Sequence, residues 1–189
     1  MTGIRRALLW STADKYFNLV VNFASLAVIS RLLTPEEIGV SAVGAAIIAF
    51  ALGLREFAST GFLIQHKNLT RRDVRTSFTL LFALTFIIAA ALVAFSPWMA
   101  AFFGEPNLSR FVGVLSIAIV IETIGLPITA LLRREMAFGR LAAINISVAA
   151  VCAPLSIVLA ATGFSYMSTA WAWLAATTMT TVLSLCIRP

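Results

Sequence analysis

The residues in this chain that could do chemistry are few, and most of them lie inside apolar stretches. Glu122 stands in SIAIVIETIGLPITALL, with apolar neighbours on both sides. A carboxylate at that depth is expensive to leave in hydrocarbon, so it faces a partner group or a watery cavity. Two roles fit it equally. It is a cavity carboxylate whose protonation is tied to transport or which meets a polar substrate, or it is a protonated glutamic acid that hydrogen-bonds a neighbouring helix. Pro127 lies about a turn beyond it and Gly125 between the two, which predicts a kinked or slackened helix. Asn18, Asn22 and Ser25 fall at i, i+4 and i+7 on one helical face, with Ser30 further along. Carboxamides both donate and accept, so such a face suits sugar hydroxyls; it equally suits hydrogen bonds between helices. Arg31 closes the same run. Its forked guanidinium fits a phosphate in a cavity, although snorkelling to the interface is the simpler role. Arg55 and Glu56 end the next run and point in different directions, each available to pair with another helix.

The remaining reactive residues point away from catalysis. Cys152 and Cys186 fall inside apolar runs, without CxxC spacing or a histidine partner, and read as small packing residues. His66, the single histidine, cannot build a metal site alone. There is no GxSxG, P-loop, HExxH or dinucleotide fingerprint, no nucleophile–base pair and no carboxylate dyad. The expectation is a protein that is not an enzyme, with no catalytic residues, no metal and no cofactor.

These residues must be positioned by membrane helices. Of 189 residues, 60% are hydrophobic and 12% charged, against about 25% charged in a soluble domain. The mean hydropathy is +0.97. The net charge of +6 is no nucleic-acid signal, because the basic residues sit at the ends of apolar runs and no aromatic-interleaved basic patch exists. About 20 apolar residues cross a bilayer as a helix. Six segments reach that length, at about 16–33, 38–57, 76–96, 111–132, 141–162 and 164–187, the last two joined by a tight turn at Gly163. The runs are continuous rather than alternating, which excludes strands. The fold class is all-α, a polytopic bundle of six transmembrane helices. Residues 1–15 mix Leu8, Leu9 and Trp10 with Arg5, Arg6, Asp14 and Lys15, and read as a short interfacial helix before a retained first span. Residues 16–187 form the six-span lobe.

Charge sorts the connections by side. With the N-terminus inside, Arg5, Arg6, Lys15, Arg55, Lys67, Arg71, Arg72, Arg75, Arg133, Arg134, Arg140 and Arg188 gather on the cytoplasmic face, and only Arg31 and Arg110 on the other. Both termini are therefore expected in the cytoplasm, with the basic cluster against anionic headgroups. Trp98, Phe102 and Phe103, and Trp171 and Trp173, fit an outer aromatic belt. Ser41, Ala45, Ala49 and Gly53 recur every four residues and predict a close helix approach.

Several loop phrases occur in order along the chain: SRLLTPEEIG (30–39), LREFASTGFLIQ (54–65), MAAFFGEP (99–106) and LRREMAFGRL (132–141), then a span ending in a glycine turn (160–164). They resemble the N-terminal half of the polysaccharide-transporter branch of the multidrug/oligosaccharidyl-lipid/polysaccharide exporter superfamily. These are the flippases for O-antigen and exopolysaccharide repeat units. The resemblance implies two six-helix lobes around a cavity open alternately to either side, with an undecaprenyl-phosphate-linked oligosaccharide carried across the bacterial inner membrane. It also implies membrane lipids as surroundings and a second lobe, or another chain, as partner. Glu122, Asn18, Asn22 and Arg31 are the cavity candidates. A drug/cation antiporter of the same superfamily and a non-transporting scaffold of a polysaccharide-assembly complex are the alternatives.

Overall fold

The structure, a computed structural model, describes the backbone of residues 2–65, 71–134 and 137–187. His66 and Lys67, and the side chains of Glu56, Arg71, Arg72 and Arg75, lie outside the described residues. Among the described residues, six long helices follow in order: α1 (Thr2–Leu32), α2 (Pro35–Gln65), α3 (Arg71–Phe103), α4 (Asn107–Arg134), α5 (Phe138–Leu159) and α6 (Met167–Cys186), with a π-helical turn, Ala160–Phe164, between the last two. The chain is a helical membrane bundle. Pro35–Arg55, Phe78–Phe103, Asn107–Arg133 and Phe138–Phe164 are long and apolar enough to cross a membrane by length and composition. The other two expected spans, in α1 and α6, are diluted by asparagine, serine and threonine. α1 does not break at residue 15: the expected interfacial segment and the first span are one continuous helix.

The joints follow from local chemistry. Thr34, Pro35 and Glu37 build a capping box at the start of α2. The Thr34 N–H donates to Glu37 Oε2 at 2.8 Å and the Glu37 N–H to Thr34 Oγ1 at 3.4 Å. Pro35 stands at the first helical position, where its missing N–H is not needed. Gly104, at φ +70°, ends α3, with the Glu105 N–H donating to the Ala100 carbonyl at 2.9 Å. Gly163 turns at φ +92°. The following Ser165 hydroxyl donates to Glu37 Oε1 and so ties the α5–α6 turn to the α1–α2 turn. Pro97 lies inside α3 and cannot bond the Val93 carbonyl; the Ser96 hydroxyl takes that acceptor at 2.9 Å.

Packing centres on α4. It meets α2 and α3 on one side and α5 and α6 on the other, while α1 packs chiefly on α5. Val40, Ile48 and Ala51 of α2 join Leu108, Phe111, Val112, Leu115 and Ile119 of α4 in one core cluster; Ile128 and Leu132 join Leu141 and Ile144 in a second. The small-residue seams differ from the expected one. Ala45 and Ala49 are exposed, and nothing approaches Gly53. The close approach is at Gly44, where an added Cβ would stand 2.3 Å from the Phe111 ring. Gly125 is likewise a contact rather than slack, since an added Cβ there would stand 3.1–3.4 Å from Thr181 and Ser184 of α6. The Thr181 hydroxyl donates there to the Ile121 carbonyl at 3.2 Å.

The surface is apolar and part of the interior is polar, as lipid requires. Leu80, Phe86, Ile87 and Phe95 of α3 are exposed, whereas Thr85, Ser116, Thr123, Ser168 and Ser184 are buried. The buried hydroxyls of Thr85, Ser116 and Thr123 donate to carbonyls of their own helices at 2.8 Å.

Candidate functional site

Two adjoining cavities run along the polar side of α1. The larger, about 560 Å³, lies between α1, α5 and α6; Asp14, Asn18, Asn22, Ser25, Asn145 and Trp173 are among its lining residues. The smaller, about 420 Å³, continues between α1 and α4 and is lined by Ser11, Glu122, Thr129 and Arg133 among others. Asp14, Lys15 and Asn145 line both, so the two form one crevice. Its centre is Asp14. Asn18 Nδ2 donates to Asp14 Oδ1 and Asn145 Nδ2 to Asp14 Oδ2, each at 2.8 Å. These bonds satisfy the carboxylate and fasten α1 to α5 through groups that hydrocarbon would not tolerate alone. Chemically, the crevice offers amide and hydroxyl donors and acceptors, the Asp14 and Glu122 carboxylates, and the cationic groups of Lys15 and Arg133. Such a set suits polar ligands.

Glu122 borders the crevice from α4. Arg55 reaches it from α2, with Nη2 3.3 Å from Glu122 Oε1 and Nη1 3.4 Å from Thr123 Oγ1. The Arg55 side chain is 11% exposed and that of Glu122 28%. Glu122 Oε2 is buried and has no hydrogen-bond partner among the described residues. The carboxylate is thus held by a cation on one oxygen and unengaged on the other. This realises the pairing expected of Arg55 with another helix, and gives Glu122 both a structural partner and a place at the cavity wall.

The sequence-based candidates separate accordingly. Asn18, Asn22 and Ser25 all line the larger cavity, and Glu122 the smaller. Arg31 lines neither; it is exposed at the end of α1. Asp14, Asn145 and Trp173 are residues that the sequence reading did not place in a site. A signal existed for Asp14: it precedes Asn18 by four residues and so extends the Asn18–Asn22–Ser25 face by one turn. Asn145, a carboxamide in a mostly apolar run, carried the same kind of signal as Glu122. Among the described residues no group of three or more His, Cys, Asp or Glu side chains could hold a metal ion.

A family model described as "Polysaccharide biosynthesis protein" matches residues 28–189, which takes in Arg55, Glu122, Asn145 and Trp173 and begins after Asn22. The lipopolysaccharide biosynthesis protein WzxC of Escherichia coli K12 is 24% identical over 138 residues, covering 73% of this chain and 28% of that protein. The succinoglycan biosynthesis transport protein ExoT of Rhizobium meliloti is 24% identical over 165 residues, covering 87% and 33%. An uncharacterized membrane protein in the cps region of Klebsiella pneumoniae is 24% identical over 143 residues, covering 72% and 28%. The chain therefore spans about a third of the length of the curated relatives it matches. No solved structure matches it. With the family match running over most of an apolar helical bundle, the chain belongs to the polysaccharide biosynthesis protein family.

Proposed function

We propose that this chain helps move a lipid-linked oligosaccharide repeat unit from the cytoplasmic to the periplasmic leaflet of the bacterial inner membrane, as one lobe of a larger helical assembly. The observation that carries this reading is the crevice: Asp14, Asn18, Asn22 and Asn145 line a passage inside a bundle whose outer surface is apolar. Such a lining replaces the hydration of sugar hydroxyls while the lipid tail stays among the exposed apolar side chains. The names of WzxC and ExoT, from lipopolysaccharide and succinoglycan biosynthesis, support a saccharide cargo. The carrier lipid is an undecaprenyl phosphate, both termini are cytoplasmic, and a second lobe or another chain closes the crevice. Access alternates by rocking of one lobe against the other. The chain is a transporter component and not an enzyme.

Complementation of polysaccharide export in source cells lacking the gene tests the reading. The wild-type gene restores export, and Glu122→Gln lowers it while the protein still inserts in the membrane. Full activity of Glu122→Gln removes that residue from the mechanism. Drug efflux without export would replace the reading by an antiporter. Capture of glycosyltransferases or a polymerase, with export units crossing normally in the absence of the chain, would replace it by a scaffold.

A further inference from the structure

The polar groups lining the larger cavity are not equally available. Asp14, Asn18 and Asn145 bond one another. The Ser156 and Thr169 hydroxyls donate to the Ala153 and Tyr166 carbonyls at 2.7 and 2.9 Å. Apart from Lys15 at the inner end and the weakly polar Cys152 thiol, the lining groups without a hydrogen bond among the described residues are the Asn22 and Ser25 side chains and the indole N–H of Trp173. These three lie at similar depth. The Glu37–Ser165 bond holds the outer turns together. From those turns, Ser25 and Asn22 stand roughly 10 and 15 Å along α1 and Trp173 roughly 9 Å along α6, at 1.5 Å per residue.

Trp173 is also the cavity's only aromatic lining residue among those described. Trp10, Trp98 and Trp171 are exposed at the surface, whereas Trp173 is half-buried and packs against the main core cluster. Its ring is therefore held in place before any ligand arrives, so little further ordering is needed on binding. A flat apolar ring with a polar edge, in a cavity that a carboxamide and a hydroxyl also line, complements one kind of molecule well. A pyranose has an apolar C–H face and a rim of hydroxyls, so it stacks on indole while amides take the rim. The cavity volume, about 560 Å³, falls in the range of small-molecule sites, roughly 300–1,000 Å³.

We propose that Trp173 is the sugar platform of the crevice, one pyranose ring of the cargo lying on its indole with hydroxyls on Asn22 and Ser25. The inference rests on the proposed saccharide cargo and adds the residue that recognises it. The test uses the chain in lipid nanodiscs free of glycoside detergent. The probes are the polyprenyl-linked oligosaccharide extracted from source cells and the same polyprenyl diphosphate without sugar. With Trp10, Trp98 and Trp171 replaced by Phe, the emission of Trp173 shifts on adding the glycosylated lipid and not the bare one. Trp173→Leu binds the glycosylated lipid about tenfold more weakly, Trp173→Phe within about threefold of wild type, and both bind the bare lipid as wild type does. Unchanged bare-lipid binding shows that the variants are folded. If the wild type prefers the glycosylated lipid and Trp173→Leu keeps that preference, the platform is overturned and the cargo reading stands. If the wild type binds the two lipids equally, both fall.

Discussion

Arg55 and Glu122 make a quantitative prediction. They stand on different helices, 3.3 Å apart, with 11% and 28% of their side chains exposed. At an effective dielectric of about 20, unit charges at that distance attract by about 5 kcal/mol, most of it offset by the loss of hydration. What survives is the asymmetry. Removing one partner from a buried pair costs about 3–5 kcal/mol, because the other charge is left uncompensated. Glu122 keeps some contact with the crevice, so Arg55→Met should cost less than that, about 2–3 kcal/mol. Glu122→Leu takes this carboxylate away from Arg55 and should likewise cost about 2–3 kcal/mol. Replacing both, as Arg55→Met with Glu122→Leu, removes this ion pair as a whole. The double variant should therefore be more stable than the sum of its singles by about 1–2 kcal/mol. Denaturant-induced unfolding in mixed micelles, read as a double-mutant cycle, gives the coupling. Additivity within about 0.5 kcal/mol would refute the reasoning, since that is the behaviour of residues that do not interact.

Three further outcomes follow from packing and hydrogen bonding. Gly44→Ala puts a methyl group 2.3 Å from the Phe111 ring and should cost about 1–3 kcal/mol, partly recovered in Phe111→Leu; Gly53→Ala, with nothing within 4 Å, should be neutral or stabilising. Asn145→Leu leaves Asp14 Oδ2 without its amide at 2.8 Å and should cost about 1–3 kcal/mol, whereas Asn22→Leu, with no such bond, should stay within about 0.5 kcal/mol in the same unfolding assay. Glu37→Ala removes both the α2 cap and the acceptor for Ser165, so its thermal midpoint should fall further than that of Ser165→Ala, which removes only the second. Equal shifts would mean that the cap contributes nothing.

Much of the architecture was legible because hydrocarbon imposes a strict code. Continuous apolar runs, separated by charged or glycine-containing turns, leave little choice but membrane helices; α4 to α6 begin and end close to the expected spans, whereas α2 and α3 run well past theirs, to Gln65 and Phe103. The polar face of α1 was legible as far as Asn18, by helical spacing alone. It was cut short there because Asp14 and Lys15, next to a basic N-terminus, read as interfacial. Their role depends on Asn145, 131 positions away, which no local pattern reveals. The same holds for Glu122, whose depth was visible and whose partner, 67 positions away, was not. In α2 the expected seam and the real one sit on adjacent faces, through Ala45 and through Gly44. A helix apolar all round gives no signal of which face is inward. Trp171 and Trp173 show the limit of the belt rule. Two residues apart, they point in different directions, and only Trp171 is on the outside.

The central claim is that the chain serves the passage of a lipid-linked saccharide through the membrane. The most direct measurement is the leaflet distribution of lipid-linked repeat units in source cells from which the gene has been deleted. The account predicts accumulation on the cytoplasmic side, shielded from glycosidase added to the periplasm, and release when the wild-type gene is returned. Repeat units reaching the periplasmic leaflet at the wild-type rate in the deletion strain would contradict it.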